Sequence, residues 1–201
     1  MKFILGKKIG MTQIFNKDNQ VVPVTVVSAG PVFITQIKTQ DKDGYQAIQI
    51  GYEKKKKIAK EKNKNKKFLY RYFREYRIQT GDLPEKMKAG DLLDVSQFNA
   101  GDKVKISSIN KGKGFQGAVK RWGFSGGPAT HGHRHNQRGL GSVGCRYPQR
   151  VLKGKKMAGR MGAQRVTLKN LKVAQILQEE NIILVNGSVA GVKGGLVEIR
   201  G

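Results

Sequence analysis

The sequence predicts a mainly β protein: a small barrel or sandwich that gives off two strongly basic extensions. Short runs of strand character recur through the first 52 residues, with turn residues every 8–12 positions. Strand character returns at 92–95 and 103–109, and again from 165 to 199. Between these runs lie two tracts that hold most of the positive charge and few core-forming residues.

The elements follow in order. Residues 3–9 and 12–15 form strands around Gly10. Residues 20–28 (QVVPVTVVS) are rich in valine, a β-branched residue that suits a pleated surface. Residues 32–39 (VFITQIKT) alternate apolar and polar, as a half-buried strand does. Asp43-Gly44 marks a turn, and 45–52 (YQAIQIGY) alternates again. Residues 68–77 (FLYRYFREYR) predict a short helix, their aromatics falling close to i, i+4 spacing. Strands at 92–95, 103–109, 165–177, 182–185 and 196–199 complete the body, the last two joined by the glycine-rich NGSVAGVKGG. The expected organisation is therefore body at 1–53, 91–110 and 165–201, a basic insertion with a short helix at 54–90, and an extended arm at 111–164.

Charge is the second layer of information. The 201 residues carry a formal charge of +25, which favours a polyanionic partner. Residues 111–165 hold 13 basic residues and no acid, and 54–77 hold 12 against Glu61 and Glu75. The rest of the chain has 14 basic and 12 acidic residues, so a nearly neutral body bears two basic extensions. From 103 to 178 there is neither aspartate nor glutamate, although 17 lysines and arginines occur. A carboxylate in such a tract would repel phosphates and be desolvated among them without a partner. The middle of the tract, with 13 glycines in 111–165 and few apolar residues, is expected to become ordered inside folded RNA.

Several classes are excluded or disfavoured. Cys145 is the single cysteine, so neither an internal disulfide nor a cysteine-rich zinc site can form, as suits a reducing cytosol. No apolar run approaches the ~18 residues of a membrane span. The N-terminal MKFILGKKIGMTQIF lacks the pattern of a secretory signal. Residues 112–117 match G-x-G-x-x-G, and Val119 extends the match to a kinase glycine loop. A dinucleotide site needs an acid about 20 positions on, and a kinase needs downstream aspartates; neither follows within the acid-free tract. Those glycines instead let backbone amides approach another chain or a phosphate.

His131, His133 and His135 alternate, and strand spacing would put them on one face. That invites a metal, yet no carboxylate is near in sequence to serve as acid or base, so contact with RNA or packing is the preferred reading. Trp122, the only tryptophan, either pins the root of the arm to the body or meets RNA through its ring or indole N–H. Arg146, Tyr147, Pro148 and Arg150 form a turn flanked by cations, the expected tip of the arm. Residues 153–162 then mix small and basic residues, suited to a strand threading between RNA helices.

Four segments carry a resemblance. KKIGMTQIF from Lys7, KGKGFQGAVKRWGFSGGPATHGHRH from Lys111, GSVG from Gly141 and GKKMAGRMGAQRVTLKNL from Gly154 together resemble the family of large-subunit ribosomal protein three, in its bacterial form. The resemblance implies a six-stranded barrel of the translation-protein type with a long basic loop. It implies a structural, non-enzymatic constituent of the large subunit, in the cytoplasm on the ribosome. The implied partner is large-subunit (23S-type) rRNA near its 3′ end, with neighbouring large-subunit proteins beside it, a role in early assembly, and an arm directed toward the peptidyl transferase centre. Two features of the family's tip are not carried over. Cys145 stands near the place of a glutamine that some bacterial relatives methylate, and Gln149 is out of register with it; Arg146 falls about where eukaryotic relatives have tryptophan.

The residues expected to contact RNA are Lys54, Lys55, Lys56 and Lys57 in the first tract. In the arm they are Lys113, Lys120, Arg121, Trp122, His131, His133, Arg134, His135 and Arg138, then Arg146, Tyr147, Arg150, Lys153, Lys155, Lys156 and Arg160. No catalytic residue, metal, cofactor, membrane or homo-oligomer is expected. Two rivals remain distinguishable: a nucleic-acid enzyme using the histidines with a metal, tested by metal analysis, and an architectural DNA-binding protein, tested by comparing rRNA and duplex DNA at matched salt.

Overall fold

Alternating apolar residues must bury one face, and here they do so by closing a sheet on itself. The computed structural model describes residues 2–16, 18–55, 69–78 and 87–201. Its strands are β1 (Phe3–Phe15), β2 (Val21–Ala29), β3 (Val32–Lys38), β4 (Ala47–Lys54), β5 (Tyr70–Arg77) and β6 (Leu92–Leu93). They continue with β7 (Lys103–Ile109), β8 (Gly114–Gln116), β9 (Gly159–Met161), β10 (Arg165–Leu177), β11 (Ile182–Asn186) and β12 (Leu196–Arg200). Two short helices are α1 (Gln40–Asp43) and α2 (Ala118–Trp122).

Strands β1, β12, β7, β10, β11 and β2 pair in that order as a closed ring, every pair antiparallel. Ile199 sits opposite Ile4 on one side and Ile106 on the other, and all three are buried. Closure leaves none of these six strands with an open edge along its paired length. β1 is a single strand rather than the two expected around Gly10, because a bulge between Lys8 and Gly10 absorbs the irregularity.

β3 and β4 do not join the ring. With β5 and β6 they make a second sheet in the order β5, β4, β3, β6, so the body expected at 1–53 is shared between two sheets. This sheet lies against the outer face of the ring. The Phe3 and Tyr76 rings are 5.0 Å apart, and the Tyr52 hydroxyl donates to Ser28 O at 3.4 Å. Buried residues of both sheets form one hydrophobic cluster, in which Phe98 is the largest fully buried side chain.

The short helix expected at 68–77 is corrected: 70–77 is β5, paired with β4 from Ala47↔Arg77 to Lys54↔Tyr70. Tyr70, Tyr72 and Tyr76 share one face of a strand, while Tyr72, Phe73 and Tyr76 also suit helical spacing, and the cross-strand partners decide it. Tyr72 lies opposite Tyr52 and stacks on it at 6.4 Å. Tyr70 lies so close over Gly51 that a Cβ there would come within 2.6 Å of the ring, so glycine is what allows the approach. On the other face Glu75 takes an ion pair from Lys38 at 2.7 Å, and that hydrogen-bonded ammonium holds its carboxyl below the usual range.

The chain divides into two compact units, Met1–Ile109 with Arg165–Gly201, and Asn110–Gln164. Among the described residues no helix is long and apolar enough to cross a membrane.

Candidate nucleic-acid interface

Asn110–Gln164 is a compact unit almost without a core. Ala118 is its only buried residue, so hydrogen bonds and turns must hold it together. Its two ends are tied twice: Asn110 N–H donates to Gln164 O at 3.0 Å, and Gln164 N–H donates to the Asn110 Oδ1 at 2.9 Å. Beyond that tie β8 and β9 pair antiparallel, Phe115 opposite Arg160, and Lys113 N–H donates to Met161 O at 2.9 Å. Helix α2 follows at once and ends on Gly123 in the left-handed conformation, φ 76°.

The tryptophan is placed by this helix. Its indole Nε1 donates to Met157 O at 2.9 Å, and the Arg121 Nη1 donates to the same carbonyl at 2.8 Å. The Arg121 guanidinium lies 4.9 Å from the Trp122 ring centroid, and the Lys156 ammonium 5.6 Å from it. Trp122 therefore joins two segments of its own unit, 35 residues apart in sequence, an anchoring neither of the two alternatives read from the sequence, arm-to-body pin or RNA contact, had specified. Cation–π contacts occupy the ring, and two donors share one carbonyl. Trp122→Phe keeps an aromatic ring, though a smaller one, and removes the donor. We expect it to loosen the unit by about 0.5–1.5 kcal/mol, read as faster amide exchange across 114–116 and 159–161; unchanged protection there would show that the indole bond does not hold these segments.

Further along, Gly127 N–H donates to Gln137 O at 3.1 Å and closes a loop around the histidines. His131 and His135 lie in turns with His133 between them, all three exposed, and none on the strand whose one face would have gathered them. Among the described residues no three His, Cys, Asp or Glu side chains are grouped as metal ligands. A recess of about 620 Å³, lined in part by Phe124, Ser125, Asn136 and Leu140, opens beside this loop. Residues 146–150 are a run of bends, and Tyr147 there is 73% exposed.

Most of the expected RNA contacts are solvent-exposed cations. Lys113, Lys120, Arg134, Arg138, Arg146, Arg150, Lys153, Lys155, Lys156 and Arg160 are all exposed, and Arg121 is half-buried. Lys54 and Lys55 are exposed at the end of β4, the Lys54 ammonium lying 4.6 Å from the Phe33 ring centroid. Lys56 and Lys57 lie outside the described residues, as does most of the lysine tract at 54–67.

One cluster was not anticipated. Glu198, on β12, is the only buried charged residue among those described. Its Oε1 accepts from the Arg74 Nε at 2.6 Å, its Oε2 accepts from the Arg165 Nη2, and the Arg200 Nη2 is 3.6 Å from Oε2. Arg200 shares β12 with Glu198, but Arg74 and Arg165 come from β5 and β10, so no local pattern could announce the cluster.

A mainly β body joined to a coreless, acid-free unit that presents cations has the arrangement of a protein that engages a polyanion. The comparisons give the particular family. A sequence profile described as Ribosomal protein L3 matches residues 75–181. The chain is 48% identical to the large ribosomal subunit protein uL3 of Thermosipho africanus, over 100% of this chain and 98% of that one. It is 47% identical to that of Finegoldia magna (100% and 97%) and 44% identical to that of Streptococcus pyogenes (99% and 96%). The chain belongs to the ribosomal protein L3 family.

Proposed function

We propose that this chain is a structural constituent of the large ribosomal subunit that binds large-subunit rRNA near its 3′ end and aids early assembly. Its place is the cytoplasm, on the ribosome, beside neighbouring large-subunit proteins. In this reading it carries out no reaction and needs no cofactor. Asn110–Gln164 enters the rRNA and runs toward the peptidyl transferase centre, gaining its full order there. The observation that carries the reading is this unit itself: twelve lysines and arginines, no acid, and a single buried residue. A segment held by so few apolar contacts has its cations available to neutralise phosphates, and such contacts position a protein on RNA without reading its sequence. Specificity then comes from the shape of the folded rRNA.

The test is equilibrium binding of the full chain to a transcript of the rRNA 3′ domain and to duplex DNA of equal length, across a salt series. The transcript is expected to bind more tightly at every salt concentration. Replacing Lys153, Lys155, Lys156 and Arg160 by glutamine should make the salt slope shallower, by about 0.7–0.9 for each phosphate no longer neutralised. Equal affinity for both nucleic acids would favour an architectural DNA-binding protein instead. An unchanged slope would remove the arm from the interface.

A further inference from the structure

We infer that the outer wall of the barrel carries a second RNA contact, a phosphate-binding site built by Arg74, Arg165 and Arg200 around Glu198. It rests on the rRNA-binding reading above and adds a surface that lies in the other unit of the chain. Three guanidiniums meet one carboxylate, which can neutralise only one of them. The strands beneath supply no other acid: β1, β7 and β10 contain none, and Glu198 is the only one in β12. Register adds more cations to the same face. Lys105 lies opposite Arg200, and Lys103 stands two residues along β7. The site is thus two charges in excess before either lysine is counted.

The excess is held in place and reachable. The Glu198 side chain is 7% exposed, whereas those of Arg74 and Arg165 are 41% and 54% exposed. The carboxylate thus fixes guanidiniums whose outer sides stay accessible to solvent. The Arg200 guanidinium packs 5.2 Å from the Phe3 ring centroid and 5.3 Å from that of Tyr76, which limits its freedom. Its Nε is buried and has no hydrogen-bond partner among the described residues. Guanidinium forks match phosphate geometry, and several rigid forks at one place favour the repeated phosphates of an RNA backbone over a single mobile carboxylate.

The experiment uses the full chain and the 3′-domain transcript, with affinity measured across a salt series. Arg165→Gln with Lys105→Gln removes two exposed cations and leaves Arg74 on Glu198. Lys153→Gln with Lys155→Gln, in the arm, is the comparison. We expect the wall variant to make the salt slope shallower by about 1.4–1.8, the arm variant by a similar amount. Thermal melting of both checks the fold. Should the wall variant melt early, Lys105→Gln alone, which breaks none of these ion pairs, should give half the change. An unchanged slope for the wall variants with a reduced slope for the arm variant overturns the inference and leaves the rRNA-binding reading standing; that pattern would point to an acidic protein segment as the occupant of the wall. Unchanged slopes for both overturn the inference and the arm's place in the interface together.

Discussion

Gly162→Ala is expected to unpair the two strands that begin and end the basic unit, and to weaken rRNA binding by about thirtyfold or more. Gly162 sits at φ +76°, and a Cβ there would lie 2.2 Å from Lys111 O, 3.0 Å from the Gly112 Cα and 3.1 Å from the Lys111 carbonyl carbon. These are backbone atoms, so no side chain can swing away to make room. A non-glycine residue in a left-handed conformation costs about 1–2 kcal/mol before any clash is counted. The clash would displace the segment that bears the Lys113 N–H bond to Met161 O, next to the β8–β9 pair. With a single buried residue in the unit, no apolar core holds the strands together once that pairing is gone. A penalty of roughly 2–3 kcal/mol in pairing would appear as thirtyfold or greater weakening if binding requires the paired form. The measurements are amide exchange at Asn110 and Lys113, and affinity for the 3′-domain transcript. Gly112→Ala is the control, because a Cβ there would meet only the Ala163 Cβ at an ordinary 3.7 Å. Equal effects from the two variants would show that backbone crowding is not the cause.

Phe98→Ala should be the most damaging single truncation in the barrel body. Phe98 is 1% exposed, the largest of the fully buried side chains, and lies in the cluster shared by the ring and the second sheet. Truncating a buried phenylalanine removes its transfer free energy and leaves a cavity, together about 3–5 kcal/mol. Against a total stability of about 5–15 kcal/mol this is a large fraction. For a chain of this size the melting temperature should fall by about 6–20 °C. Phe115→Ala offers the contrast, since Phe115 is 77% exposed on β8 and should leave the main transition unmoved. Calorimetry of both variants separates the outcomes: a Phe98→Ala shift of only a degree or two would mean that the core collapses around the missing ring.

The basic unit is legible in the chain because charge and glycine content belong to composition, and neither depends on what lies nearby in space. The absence of acids from 103 to 178 already says that this stretch suits phosphates. Alternation at 32–39 and 45–52 likewise marks strands, since period two has one structural meaning over such lengths. At 70–77 the same kind of pattern misleads. YRYFREYR offers aromatics at spacings that both helix and strand accept, and only Tyr52 and the rest of β4 across the sheet decide between them. The histidines at 131–135 alternate as a strand would, yet the glycines around them turn the backbone and keep the side chains from gathering.

What the sequence determined by itself is thus the character of each segment: which ones can bury a face, which cannot, and which repel anything but an anion. Tertiary structure alone decided the partners. It placed β3 and β4 in a second sheet instead of the ring, set Trp122 on the Met157 carbonyl, and drew Arg74, Arg165 and Arg200 to Glu198. Arg74 and Glu198 are 124 residues apart in the chain. Their meeting depends on strand order, register and the packing of one sheet on another, which are collective properties that no local pattern encodes.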